Sequence, residues 1–202
     1  MVTAALILSA GESSRFGGYP KALVSLGGTT AVRRMAEVCL DRSLDPVVVV
    51  VGPHRGPIVH EVRGLDVTVT DSEEWYEGRT SSIQSGLRAI PEDRDILFWP
   101  VDHPFVRGFT VDLLLAARDR DDLAVWFIPV YSGRGGHPVL WKPSVRRDIL
   151  DLRADAPLRS LLPEFGVQVR RLNVDDPGVV SNVDSPEAYR AALEAWQSRG
   201  EG

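Results

Sequence analysis

Residues 6–28 read LILSAGESSRFGGYPKALVSLGG. The stretch opens as an apolar run and breaks at once into glycine, serine, arginine and lysine. No Lys or Arg precedes the run, and Glu12 and Arg15 follow it directly. It is too short to span a bilayer and lacks the basic start of a leader peptide, so it reads as an interior strand. The loop behind it has the ingredients of a phosphate site. Gly11, Gly17 and Gly18 allow sharp turns and close backbone approach. Successive backbone N–H groups can form an anion-binding nest. Arg15 offers a planar fork and Lys21 a compact point charge. The plainer alternative is a solvated turn carrying two surface cations.

Two common phosphate loops fail on spacing. A dinucleotide fingerprint needs glycine two residues after Gly11, where Ser13 stands. A Walker-type loop needs glycine at Phe16 and Ser or Thr at Ala22. A nicotinamide oxidoreductase is disfavoured on the first count.

Outward from this loop, short β-rich runs alternate with helical patterns. Expected strands are AALILSA (4–10), PVVVVVG (46–52), DVTVT (66–70), DILFWPV (95–101), LAVWFIPVY (123–131), HPVLW (137–141) and VQVRRLNV (167–174). Helical patterns fall at 29–42, near 57–64, and at 80–90, 109–119, 143–153, 156–165 and 185–199. Thr29 or Thr30 is expected to cap the first helix, Thr80 or Ser81 the third, and Ser185 the last, with Pro186 at its first position. Such alternation predicts an α/β fold: one Rossmann-like domain over 1–202, with a mostly parallel open sheet and helices on both faces. Ligands of such sheets lie beyond the carboxyl ends of the strands, which places the 10–21 loop beside the site.

The chain has 202 residues, enough for one full core. Its net charge of −5 argues against nucleic-acid binding over the whole surface. Cys39 is the sole cysteine, so no internal disulfide forms, as expected of a cytoplasmic protein. No stretch is long and apolar enough for a membrane helix.

Four segments, in order, resemble the signature of the nucleotidyltransferases with a MobA-like fold. LSAGESSRFGGYPKAL resembles their L-A-A-G-x-S-x-R-M-G-x-(x)-x-K-x-L; GRTSSIQSGL, WPVDHPFV and NVDSPEAY resemble G-x-x-S-S-x-x-x-G-L, L-x-D-x-P-x-V and D-I-D-T-P-E-D-Y. Together they spread over nearly the whole chain. GGHPVLW and RADAPLRSLL are similar to elements of the molybdenum cofactor cytidylyltransferase branch. The resemblance implies transfer of a nucleoside monophosphate from an NTP, CTP or GTP, to a phosphate-bearing acceptor, with Mg²⁺ as cofactor and pyrophosphate released. It implies molybdopterin as acceptor and a molybdoenzyme as a further partner.

The same resemblance suggests roles. Arg15 and Lys21 hold the triphosphate and, with Asp102, form the catalytic set. Ala10, Gly11, Glu12, Ser13, Ser81, Ser82 and Gly86 join them at the nucleotide. Asp102 and Asp184 hold the metal, which prefers one or two carboxylates completed by phosphates and water. His137, Asp155 and Arg159 stand on the acceptor side. Each has a plainer reading beside it. Asp102 before Pro104 is a good turn former. Asp155 and Arg159 are spaced as a helical surface pair. Gly86 reads equally as a close-packing position. Trp75 is either a loop anchor or a contact at the strand ends.

The pattern has departures. Ser9 replaces a usual Ala, Phe16 a Met, Pro157 a Gly, and Asn182 and Ser185 the first Asp and Thr of D-I-D-T-P. Arg15 and Lys21 are six apart, closer to the guanylyltransferase spacing. Two other readings therefore accompany the first: the same chemistry on a sugar or other metabolite phosphate, and a nucleotide-binding accessory protein without catalysis.

Overall fold

The protein is described by a computed structural model covering residues 2–199. In chain order its strands are β1 (Thr3–Ser9), β2 (Val47–Val51), β3 (Thr68–Asp71), β4 (Asp95–Pro100), β5 (Trp126–Tyr131), β6 (Arg134–Gly135), β7 (Val139–Trp141) and β8 (Val169–Asn173). The helices are α1 (Ala31–Leu40), α2 (Arg55–Glu61), α3 (Arg79–Arg88), α4 (Gly108–Arg120), α5 (Arg146–Leu150), α6 (Leu162–Phe165) and α7 (Pro186–Gln197). They build one sheet in the order β3-β2-β1-β4-β7-β5-β6, with β8 on β5. β1, β2, β3, β4, β5 and β8 run the same way, while β7 runs antiparallel between β4 and β5.

The all-valine β2 and the apolar β1 are buried along their whole length. Strand side chains alternate between faces, so one run supplies two cores. Ala5 and Ile7 of β1, with Val47, Val49 and Val51 of β2, pack under Val32, Met35 and Cys39 of α1 and Val111 and Leu114 of α4. Ala4, Leu6 and Leu8, with Val48 and Val50, pack on the other face under Ile83 and Leu87 of α3 and Ile149 of α5. The expected two-sided covering is present. On that second face the Gln84 amide donates to the carbonyls of Ile149, Leu150 and Leu152 at 3.0, 3.2 and 2.9 Å. This occupies the carbonyl end of α5, which its own helix leaves unpaired.

Helix ends differ in part from expectation. The Ser185 hydroxyl accepts from the Ala188 N–H at 3.2 Å, and Pro186 opens α7. Thr30 sits at the cap position of α1 but its side chain makes no capping bond. The cap of α3 is Gly78, so Thr80 and Ser81 lie inside its first turn. Regular helix in the 143–165 region is confined to α5 and α6, each entered through a tight 3₁₀ turn, at Pro143–Val145 and at Leu158–Leu161.

After β1 the chain builds β2 and β3 outward on one side, then returns to lay β4 on the other side of β1. The crevice beyond the carboxyl ends of β1 and β4 is therefore the topological switch point, where ligands of open α/β sheets bind. No helix among the described residues is long and apolar enough to cross a membrane.

Candidate active site

A cavity of about 330 Å³ opens at that switch point. Its walls come from the end of β1 and the loop behind it (Ala10, Gly11, Ser13, Arg15, Lys21), from the end of β4 (Asp102), and from the α3 entrance (Arg79, Ser82). The loop is a compact structure. Ser13 adopts φ 56°, and Gly17 and Gly18 adopt φ 63° and 82°, conformations that cost a glycine little. The Ser13 carbonyl accepts from Phe16 and Gly18, and its hydroxyl accepts from the Lys21 N–H at 3.1 Å. These bonds curl the loop so that Lys21 returns to the cavity where Ser13 left it.

Lys21 Nζ lies 2.5 Å from Asp184 Oδ1, and Arg15 approaches Asp184 Oδ2 at 3.9 Å. The Asn182 amide donates to Asp184 Oδ2 at 2.8 Å. The ammonium also sits 5.7 Å from the Phe16 ring centre, a cation–π distance. Two of the departures from the family pattern, Phe16 and Asn182, thus brace Lys21 and its partner. Asp184 reaches this place because the Val183 N–H donates to the Asp102 carbonyl at 2.7 Å, fastening the segment before α7 to the end of β4.

Asp102 is buried. Oδ1 accepts from His103 Nδ1 at 2.8 Å, and Oδ2 accepts from Arg79 Nη2 at 3.1 Å. Burial by itself pushes its pKa up. The His103 hydrogen bond and the charges of His103, Arg79 and His137 outweigh burial and hold the carboxyl below the usual carboxylate range. It is therefore an anion at neutral pH despite its depth. Behind it the His103 and His137 rings pack 4.8 Å apart. Burial, then the neighbouring His103, lowers His137 to about 3, while Asp102 opposes the shift.

His137 lines a second cavity of about 670 Å³. Phe98, Trp126, Ile128 and Val139 form its apolar side, and Arg159, Arg171 and Asp155 its charged side. The plainer reading of Asp155 and Arg159 as a surface pair is not seen: Asp155 binds Arg153 at 3.2 Å. Both residues nevertheless face this cavity with His137.

The nucleotide-side expectations divide. Ala10, Gly11, Ser13, Arg15, Lys21, Ser82 and Asp102 all line the smaller cavity. Glu12 is exposed and off its wall; its carbonyl is 2.9 Å from His54 Nε2, and His54 is a lining residue. The Ser81 hydroxyl is spent on the Glu74 and Gly78 carbonyls, each at 2.7 Å. Gly86 is a correction. It lies against the sheet, where a Cβ would come within 2.6 Å of a Val50 methyl and 2.9 Å of a Leu6 methyl, so it packs and does not meet nucleotide. Trp75 does line the cavity, and so does Arg79. Arg79 stands at an unspecified position of G-x-x-S-S, so only its contact with Asp102 reveals it.

Carboxylate oxygens are the donors a hard divalent cation takes; Asp102 lines the cavity, and Asp184 borders it through Lys21 and Arg15, which are lining residues. Asp102 and Asp184 bring carboxylates from segments joined by a backbone bond. Among the described residues no cluster of three or more His, Cys, Asp or Glu could hold a metal alone. Mg²⁺ is ordinarily bound by one or two carboxylates with substrate phosphates and water.

Comparisons with known proteins identify the family. The MobA-like NTP transferase domain matches residues 5–174. A protein called nicotine blue oxidoreductase, from Paenarthrobacter nicotinovorans, is 26% identical over 190 residues, covering 90% of this chain and 92% of its own. A probable molybdenum cofactor guanylyltransferase of Natronomonas pharaonis is 25% identical over 197 residues, covering 94% and 96%. Among solved structures, a homologue of Mycobacterium tuberculosis rv0371c from Mycobacterium sp. strain JC1 superposes with TM-score 0.80 at 26% identity, covering 98% of each chain. The M. tuberculosis protein itself, in a manganese complex, superposes with TM-score 0.76 at 22% identity, covering 96% of this chain and 100% of its own.

Proposed function

The chain belongs to the MobA-like NTP transferase family and is a nucleotidyltransferase; from that premise we propose that it moves a nucleoside monophosphate from CTP or GTP to the phosphate of molybdopterin, releasing pyrophosphate. The carrying observation is the cavity at the switch point together with a second cavity that shares Arg79 as a wall. One is walled by the cationic loop and Asp102, the other by an apolar floor with Arg159 and Arg171 at its rim. In this reading the triphosphate lies in the first and the acceptor in the second.

A phosphate oxygen of the acceptor attacks the α-phosphorus, the bond to the bridging oxygen breaks, and pyrophosphate leaves. The acceptor is already ionised at neutral pH, so no strong base is required. The demands are in-line placement and neutralisation of developing charge. Lys21 and Arg15 answer the second demand on the triphosphate, with backbone N–H groups of residues 10–15. Asp184 aims Lys21 in the empty protein and yields it to the more highly charged phosphates. Asp102 and Asp184 would hold Mg²⁺, which when bound adds positive charge at the phosphates.

The test is a pyrophosphate-release screen of CTP, GTP, ATP and UTP against molybdopterin and a panel of phosphorylated metabolites, with Mg²⁺ present. Release with CTP or GTP and molybdopterin is expected. Release only with another acceptor moves the assignment to that acceptor. Nucleotide binding with no release from any pair favours a non-catalytic accessory role. The relative named as an oxidoreductase adds a control arm, oxidation of a reduced nicotinamide, for which no turnover is expected because the first loop lacks the dinucleotide spacing.

A further inference from the structure

Arg79 has no part in the roles given above, yet it occupies the most exposed-to-both position in the site. It is the first residue of α3, directly after the Gly78 cap. Among the described residues it alone lines both the 330 Å³ and the 670 Å³ cavities. Its side chain is 59% exposed, whereas that of Asp102, its partner at 3.1 Å, is 7% exposed. The other Asp102 oxygen is held by His103, whose side chain is 10% exposed. Both carboxylate oxygens are thus engaged, one by a buried ring and one by a cation with open space around it.

A divalent cation arriving at Asp102 meets these two partners unequally. His103 is packed against His137 with its side chain 10% exposed, so it has little space to move into. The Arg79 guanidinium can swing away, and Coulomb repulsion from a second cation at the same oxygen drives it to do so. Both neighbouring spaces are cavities that it already borders. Their common border is also where an acceptor phosphate in one must meet an α-phosphate in the other. Two anions approaching there repel, and a planar fork can bond to both at once. The other cations cannot do this: Arg15 and Lys21 face only the smaller cavity, Arg159 and Arg171 only the larger.

We propose that Arg79 is a built-in counter-ion of Asp102 which a divalent metal displaces, and that the displaced guanidinium bridges the acceptor phosphate and the α-phosphate at the border of the two cavities. The second half rests on the nucleotidyltransferase reading of the two cavities; the first half rests on the ion pair alone. The device couples metal loading to completion of the charge-neutralising set. Without metal at Asp102 the border lacks its cation.

The test compares wild type with Arg79→Ala and Arg79→Lys in two assays. The first is Mn²⁺ binding without nucleotide, followed by the paramagnetic resonance signal of the free ion. Arg79→Ala frees an Asp102 oxygen, so its Mn²⁺ dissociation constant falls about fivefold at low salt, the scale of a half-exposed ion pair. The second is nucleotidyl transfer under saturating metal. There Arg79→Ala lowers kcat about 10²–10³-fold, the scale for loss of one preorganised donor. KM for the NTP stays within about threefold, because the lost contact forms mainly in the transition state. Arg79→Lys, a charge without the fork, falls between the two in kcat. Unchanged or weaker Mn²⁺ binding by Arg79→Ala overturns the counter-ion, and unchanged kcat overturns the bridge. A wild-type protein that transfers no nucleotide removes the function and the bridge together, while the manganese comparison still decides the counter-ion.

Discussion

Lys21 carries the sharpest consequence at the scale of single residues. Its ammonium is bound to Asp184 and braced by Phe16, but it contributes little to either core. Asp184 is 42% exposed and water can take over its charge. Lys21→Ala should cost about 1–2 kcal/mol of stability in a denaturant titration, part of it from the stem of a side chain that is 17% exposed. It should lower kcat for nucleotidyl transfer about 10²–10³-fold. Equal losses of stability and activity would make Lys21 a structural residue. Asp102→Asn keeps the shape and removes the charge, so it should flatten the Mg²⁺ dependence of turnover; an unchanged Mg²⁺ titration would take Asp102 out of any metal site. His137 supplies a pH signature. Folded, it resists protonation down to about 3, while an unfolded histidine takes a proton near 6.5. Between those values the unfolded chain binds the extra proton, so stability falls as pH falls. Acidification from pH 7 to pH 5 should cost up to about 2 kcal/mol from this group. Asp102 adds loss only further down, because its depressed pKa acts below the ordinary carboxylate value near 3.9. In His137→Gln the loss between pH 7 and 5 should shrink; an unchanged slope would assign it elsewhere.

Among the elements, α3 joins packing and site. Its first turn carries Arg79 and Ser82 to the cavity. Its last turn carries Gly86 down onto β1 and β2. A methyl at 86 must push Val50 and Leu6 aside, at a cost of about 1–3 kcal/mol. The helix-propensity gain of alanine over glycine returns about 1 kcal/mol. Gly86→Ala should therefore lower stability by about 1 kcal/mol and leave the KM for NTP unchanged. A raised KM without loss of stability would restore the nucleotide contact that the packing denies. The 10–21 loop behaves in the opposite way. It is stitched by its own Ser13 bonds and covers little apolar area, so its residues answer in catalysis before they answer in stability.

At the level of the whole molecule, the strand–helix alternation was enough to read the architecture, because buried parallel strands are apolar throughout and their positions survive any reasonable shift of boundary. The valine run of β2 and the cores on both faces of β1 follow from that alone. The antiparallel insertion of β7 was not readable, since its three residues look like any short β run. In the site, the cationic loop and Asp102 were legible because their chemistry is tied to a strand's carboxyl end. Ser81 and Gly86 were not separable from Ser82 by motif, since the division depends on which side of one helix turn meets the cavity. The partners of Asp102, Arg79 and His103, lay hidden because only the fold brings an α3 residue to the end of β4. The central claim is that this loop and these carboxylates enclose a magnesium-bound triphosphate at the switch point. It is tested most directly by a crystal structure of the protein with Mg²⁺ and a non-hydrolysable CTP or GTP analogue. The triphosphate is expected against Lys21, Arg15 and the backbone of residues 10–15, with Mg²⁺ at Asp102 and Arg79 released from it. A triphosphate lodged in the larger cavity, or one that leaves the Asp102–Arg79 pair closed, would contradict it.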